Sequence, residues 1–352
     1  MNYEVELNDV IMTLVKEAGS DIHLTVGTFP TLRINGELVP LTRKTELTAE
    51  DTVGYLRALI SEKMFTDFVI KQEIDFSYEH GQEYRLRGNA SFQRGVISVA
   101  LRLVPKVKGI QELNLPQQLI DISRSKQGFF LVVGPVGQGK STTIASMIEL
   151  MNREAKRHIV TIEDPIEFRF VQDKSIIQQR EVGVDTADFG TALRHVFRQD
   201  MDVIMIGEMR DKETIGIAVT AAETGHFVLS TLHTNSASQT IDRIIDSFPS
   251  DQQNQIRNQL AASLLGIFSQ RLIPRISGGM IPAYELLINT PAVANLIREG
   301  RTAEVDMMIE TGTEKGMIDL DRNLAELVRR GDILKDSAKL FAHKPNFLDR
   351  LI

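Results

Sequence analysis

The stretch GPVGQGKSTT (134–143) fits the spacing G-x-x-x-x-G-K-[ST] from Gly134 to Ser141. Glycines so spaced let backbone N–H groups converge on phosphate oxygens. Lys140 brings a positive charge to the β- and γ-phosphates of a nucleotide, and Ser141 a hydroxyl to Mg2+. Thr142 follows at the start of a helix, whose dipole also favours anions. A glycine-rich turn with a surface lysine is the bland alternative. The apolar FFLVV (129–133) before the loop and the helical pattern after it favour phosphate. The nucleotide-binding set is therefore Gly134, Pro135, Val136, Gly137, Gln138, Gly139, Lys140, Ser141 and Thr142.

Three further stretches carry polar groups next to apolar runs. TIEDPIEF (161–168) sets Glu163, Asp164 and Glu167 after a strand-like run. Carboxylates there would hold a magnesium-bound water or align an attacking one, or else form a solvated turn bent at Pro165. DVIMIGEMRD (202–211) is an apolar strand followed by Glu208, which suits a magnesium site; many strands also end in a charge. In TGHFVLSTLHTNSA (224–237), His226 and His233 bracket a strand seven residues apart, and regular alternation would point them to opposite faces. They are either hydrogen-bonded structural histidines or sensors of a γ-phosphate. Nothing else at metal-ligand spacing supports zinc. Earlier in the chain, YRLRGNASFQRGVISVALRLV (84–104) carries Arg85, Arg87, Arg94 and Arg102. They form a solvated sheet face, or some reach a nucleotide held by a neighbouring subunit.

The elements that must position these groups divide the chain in two. Leu7, Val10, Ile11, Leu14 and Val15 repeat at helical spacing, with Gly19 placed to end that helix. DIHLTV (21–26) alternates as a strand, Asn35-Gly36 marks a hairpin, and a single helix is expected from about Thr48 to Gln72. Three more strand-like runs complete a small α/β domain with an antiparallel sheet over 1–103. VPKVKGIQELNLP (104–116) reads as a linker. Over 117–352 the short apolar runs at 129–133, 158–162, 203–206 and 227–232 alternate with helical stretches, the pattern of a parallel sheet covered by helices. The last hundred or so residues, from SDQQNQIRNQL onward, read as mainly helical.

The bulk numbers are those of a globular chain: 352 residues, 42% hydrophobic, 25% charged, net charge −7. An acidic balance gives no electrostatic footprint for nucleic acid. The absence of cysteine excludes disulfides, Fe–S ligation and thiolate zinc sites, and it fits a reducing cytosol. The N-terminus is acidic, unlike a signal peptide, and no apolar run approaches the roughly 20 residues of a membrane span. Membrane association is therefore expected to be peripheral only.

Taken in order, GPVGQGKSTT, TIEDPIEF, DVIMIGEMRD and TGHFVLSTLHTNSA resemble the Walker A, Asp box, Walker B and His box of the secretion-type hexameric ATPases. The resemblance covers nearly the whole chain, with a PAS-like N-terminal domain followed by a RecA-like P-loop domain and a helical C-terminal portion. Within that family the chain looks most like the type IV pilus retraction ATPases, the PilT type. It is expected to start at the PAS-like domain, it lacks the cysteines of a zinc insertion, and PAVANLIREG (291–300) is similar to the retraction signature AIRNLIREG. Val293 and Ala294 stand where that signature has Ile and Arg, and Val136 and Gln138 replace the usual loop residues.

The resemblance implies an ATPase working with Mg2+ in a cytoplasmic homohexamer at the inner-membrane base of a pilus. There it would act on a platform protein, with a paralogous retraction ATPase as a further partner. It also implies roles: Lys140 and Ser141 on phosphate and Mg2+, Glu208 on the magnesium water, and Glu167 as general base with Glu163 beside it. His226 and His233 would report the γ-phosphate, and Arg87, Arg94 and Arg102 are the candidate trans arginines. The alternatives are an accessory PilU-type retraction ATPase, another secretion-type ATPase, a hexameric nucleic-acid translocase, and a non-catalytic scaffold.

Overall fold

The computed structural model describes residues 2–34, 36–81 and 84–352, and the chain divides into two compact units, Met1–Lys106 and Val107–Ile352. In the first, α1 (Tyr3–Lys16) leads into β1 (Asp21–Thr25), β2 (Thr31–Ile34) and β3 (Glu37–Pro40). Then come α2 (Ala49–Leu59), α3 (Glu62–Lys71), β4 (Glu73–His80), β5 (Tyr84–Gln93) and β6 (Val96–Leu103). The strands form one antiparallel sheet in the order β3-β2-β1-β6-β5-β4. The helical repeat read in α1 buries Leu7, Val10, Ile11 and Leu14 in one core with Ile22, Leu24, Leu86, Val99 and Leu101 of the sheet. After α1, the Gly19 N–H closes back on the Leu14 carbonyl. Asn35 of the expected hairpin lies outside the described residues; on either side of it β2 and β3 pair, with Ile34 opposite Glu37.

The single helix expected from Thr48 to Gln72 is two helices. Ile60 is extended, and the Ser61 side chain caps α3 by accepting the Met64 N–H. An extended residue followed by a capping serine ends one helix and starts another, which apolar spacing alone does not show. The stretch 104–116 belongs to both units. The Val104 N–H bonds the Arg85 carbonyl in the first, whereas Ile110 and Leu115 lie in a core of the second.

The second unit begins with α4 (Gln118–Ser123), β7 (Gly128–Val133), α5 (Lys140–Glu154), β8 (His158–Glu163) and β9 (Ile176–Glu181). It continues through α6 (Phe189–Val196), β10 (Val203–Ile206), α7 (Lys212–Glu223), β11 (Phe227–Leu232), α8 (Ala237–Asp246) and α9 (Ser250–Ser263). The remaining elements are β12 (Leu264–Pro274), β13 (Met280–Ile288), α10 (Pro291–Glu299), α11 (Val305–Thr311), α12 (Leu320–Arg329), α13 (Lys335–Phe341) and α14 (Pro345–Leu351). The seven strands run β13-β12-β7-β11-β10-β8-β9, parallel except for β13. Helices cover both faces, so the central strands are apolar throughout rather than alternating. Along β7, Phe129, Leu131 and Val133 enter one core with α7, α8 and α9, while Phe130 and Val132 enter the other with α4 and α5. This is the fold class the P-loop pattern led us to expect.

The mainly helical reading of the C-terminal part needs correction. Residues 264–274 and 280–288 are two long strands extending the sheet beyond β7. Their burial on both faces removes the polar alternation that marks a strand, leaving apolar runs that a helix would also explain. Gly266 allows the close pairing: a Cβ there would lie 2.4 Å from the Leu287 carbonyl oxygen of β13. Strand β9 was not anticipated either; at the sheet edge its IIQQRE is only partly buried.

Strand β13 also places a carboxylate inside the unit. Glu285 is 5% exposed, and its Oε1 accepts the Ala237 N–H at the start of α8, 2.8 Å away. Burial pushes its carboxyl up to about 7, helped by Asp306 and Asp319 and opposed by the Ala237 N–H and Arg271. A carboxyl whose folded value lies above its unfolded one favours folding fully below about pH 4.5 and loses that contribution as pH rises to 7. The unfolding free energy of Glu285→Gln, relative to the natural protein, should therefore rise between pH 5 and 7.5 by about 2 kcal/mol. Paired denaturant titrations at several pH values measure this, and a difference independent of pH would contradict it.

Candidate active site

Register decides where the motifs go. Val133 of β7 pairs with Leu232 of β11, Ser230 of β11 with Ile206 of β10, and Ile206 with Ile162 of β8. Four parallel strands thus end together, and the chain leaves them at Gly134, His233, Gly207 and Asp164. Ligand sites in α/β sheets lie outside these carboxyl ends. A cavity opens there, lined by Lys140, Ser141, Glu163, Glu167, Glu208 and His233 among others.

The loop from Gly134 to Gly139 needs its glycines. Gly134, Gly137 and Gly139 have φ of +145°, +76° and +80°, a region side chains avoid. Lys140 opens α5 and is 7% exposed; its Nζ donates to the Gly134 carbonyl at 2.8 Å and the Pro135 carbonyl at 2.9 Å. Burial lowers the Lys140 pKa, and Glu208 and Glu167 oppose that. The loop and the first turn of α5 border two places. Val136, Gly137 and Ser141 line the cavity, whereas Gly139 and Thr142 line a separate recess beside Gln270 and Leu272. Pro135 acts through its carbonyl, and the Gln138 side chain bonds the Leu272 N–H at 2.7 Å.

The Lys140 ammonium also meets His233 Nδ1 at 3.2 Å, and His233 Nε2 meets Glu208 Oε1 at 3.2 Å. An ammonium only donates, so Nδ1 accepts and the ring proton sits on Nε2, facing the carboxylate. Arg210 donates to the other oxygen of Glu208 at 2.8 Å. Burial pulls the Glu208 pKa up, but Arg210 and His233 outweigh it and the carboxyl lies below its ordinary value.

Glu163 and Glu167 share the cavity but not their surroundings. Glu163 is 6% exposed; its Oε1 accepts from Thr161 at 2.6 Å and Gln179 at 3.2 Å, and its Oε2 from the Glu167 N–H at 3.3 Å. Burial raises its pKa against those three bonds. Glu167 is exposed and lines the cavity. One carboxylate is thus fixed in the wall, while the other is open to water. Ser141 and Glu208 line the same cavity and could offer a magnesium ion hard oxygens, of which it takes one or two from protein and the rest from phosphate and water.

His226 does not join them. It precedes β11 at the amino ends of the strands, opposite the cavity and about 20 Å from His233 at 3.3 Å per residue. Its N–H bonds the Ala221 carbonyl, and its ring meets Phe197 edge-on. Seven residues of parallel strand separate the two histidines by the strand's length, which matters more than which face each points to. Within this chain, His226 as a γ-phosphate contact is a correction.

The arginines belong to the first unit. Arg87 of β5 and Arg102 of β6 face each other across the ladder, and Arg94 occupies the turn between those strands at φ +52°. Arg102 donates to Asp21 Oδ1 at 2.8 Å while its side chain stays largely exposed. Three contributors carry no sequence signal of their own: Arg210, one of many charges that follow a strand, Gln179 on the polar edge strand β9, and Gln270 on the buried strand β12.

A family model for the type II/IV secretion system protein matches residues 3–328. The chain is similar to the type IV pilus retraction ATPase PilT of Pseudomonas aeruginosa, 40% identical over 97% of this chain and 99% of that one. It is also similar to the type IV pilus ATPase PilU of the same organism, 38% identical over 99% and 91% of the two chains. Among solved structures it resembles the pilus retraction motor PilT with bound ADP. The TM-score is 0.90, with 43% identity over 97% of this chain and 98% of the other. The chain belongs to the type II/IV secretion system protein family, as an ATPase.

Proposed function

We propose that this chain is the ATP-hydrolysing motor of type IV pilus retraction. It would work as a homohexamer on the cytoplasmic face of the inner membrane, where it engages a platform protein. The carrying observation is the shared edge of four strands, where Lys140, Glu208 and His233 form one bonded chain beside Glu163 and Glu167. End-to-end similarity to a retraction motor supports the direction of movement. Among the described residues no helix is long and apolar enough to cross a membrane, which suits a peripheral position.

In this reading Lys140 leaves its carbonyl partners for the nucleotide phosphates, and backbone N–H groups of the loop bind the remaining oxygens. Mg2+, held by Ser141 and through water by Glu208, would neutralise developing phosphate charge. Glu167, reachable by solvent, takes a proton from the attacking water; Glu163, which accepts the Glu167 N–H, holds that segment in place. His233 touches both Lys140 and Glu208, so a change at the phosphates reaches both sides of the cavity. Arg102, together with Arg87 and Arg94, would complete the site of an adjoining subunit.

The site is tested first in one protomer. Lys140→Ala should remove nucleotide binding and turnover without unfolding the chain. Glu167→Gln should bind ATP yet slow its hydrolysis by about 100-fold or more, the range of general-base catalysis. Steady-state phosphate release and equilibrium binding measure both, and hydrolysis at the natural rate by either variant would reject its assigned role.

The second test concerns the neighbour. Arg102→Ala rings and Lys140→Ala rings should each be nearly inactive. Mixed rings should recover part of the activity, because some interfaces then join an intact Lys140 to an intact Arg102. No recovery despite demonstrated subunit exchange would show that Arg102 does not act across the interface.

A further inference from the structure

Gln270 on β12 lies outside all four motifs and is 3% exposed. Both polar atoms of its side chain are spent on the phosphate loop and the helix after it. Nε2 donates to the Gln138 carbonyl at 2.8 Å, and Oε1 accepts the Thr143 hydroxyl at 2.6 Å. A carbonyl only accepts, so Nε2 must face Gln138, and Thr143 fills the acceptor on the other side. The loop is also pressed against this residue at both ends. A Cβ on Gly134 would lie 2.5 Å from the Gln270 carbonyl oxygen, and one on Gly139 would lie 2.9 Å from Gln270 Nε2.

Peptide geometry gives these contacts a consequence. In a planar trans peptide the C=O and the following N–H point in opposite directions. Tying the Gln138 carbonyl to β12 therefore turns the Gly139 N–H away from β12. We infer that Gln270 is a positioning residue: it locks the peptide between Gln138 and Gly139 so that the Gly139 N–H faces the nucleotide phosphate. Thr143 sets the orientation of the Gln270 amide. The strand next to β7 thus shapes the loop without touching the ligand. Without this brace the peptide is free to turn, and the phosphate must first select the competent orientation, which weakens binding.

The inference rests on the proposed ATPase site, and the test separates the two. ADP and inorganic pyrophosphate are the probes, because pyrophosphate reports the loop without a base or ribose. Gln270→Met keeps length and removes both hydrogen bonds. It should weaken both probes by roughly 30-fold, which is about 2 kcal/mol at 1.4 kcal/mol per decade. The KM for ATP should rise in proportion while kcat changes by less than about threefold, as expected when binding alone is lost. Thr143→Val should weaken both probes less, and Thr143→Ser should restore them. The double variant Gln270→Met/Thr143→Val should be no weaker than Gln270→Met alone, since both act through one amide.

Pyrophosphate bound as tightly by Gln270→Met as by the natural protein would overturn the inference. So would loss of ADP with pyrophosphate retained, which would place Gln270 on the nucleoside. If Gln270→Met proves unfolded in a thermal melt, the Thr143 pair decides: equal affinity of Thr143→Val and Thr143→Ser overturns the inference. A natural protein that binds neither probe would bring down the ATPase reading, and this inference with it.

Discussion

Everything in the second unit depends on one constraint, the in-register parallel pairing of β7, β11, β10 and β8. The four motifs come in one order along the chain and stand in another across the sheet. Gly134 and His233 become neighbours only because β11 inserts beside β7. A slip of one residue in that pairing would turn each strand's apolar set toward the wrong core and move its polar end residue out of the cavity. Burial of β7, β10 and β11 on both faces holds the register, so the packing that stabilises the sheet also assembles the site.

At the cavity edge, charge is balanced locally. The loop gives Lys140 two carbonyls and His233 gives it a ring nitrogen; Arg210 and His233 hold Glu208, and Thr161 and Gln179 hold Glu163. Glu167, by contrast, is exposed and so open to water. The polar network keeps its members fixed in a partly buried setting where movement of one is felt by the next. A phosphate that drew Lys140 away would disturb His233, and through it Glu208.

Much of this was legible in the residues. The phosphate loop could be read because three glycines at positive φ and a buried lysine leave a fixed spacing. Glu208 and the acidic cluster could be read because each follows an apolar strand. The rest depended on tertiary placement. His226 looked equivalent to His233, yet the length of β11 puts it at the opposite end of the strands. Strands β12 and β13 read as helix because both faces are buried, and with them went Gln270, Arg271 and Glu285. Edge strand β9 was missed because IIQQRE is mostly polar, and it carries Gln179. Side chains that support rather than contact a ligand come from such neighbouring strands, and no local motif announces them.

The central claim is that the cavity at the ends of these four strands holds the phosphates of ATP. A structure of the protein with Mg2+ and a slowly hydrolysed ATP analogue tests it most directly. The account predicts the terminal phosphates in the concavity of the 134–139 loop, Lys140 Nζ moved from the Gly134 and Pro135 carbonyls onto a phosphate oxygen, and the Glu167 carboxylate facing the γ-phosphate. Nucleotide bound elsewhere, with Lys140 still on its own loop's carbonyls, would contradict it.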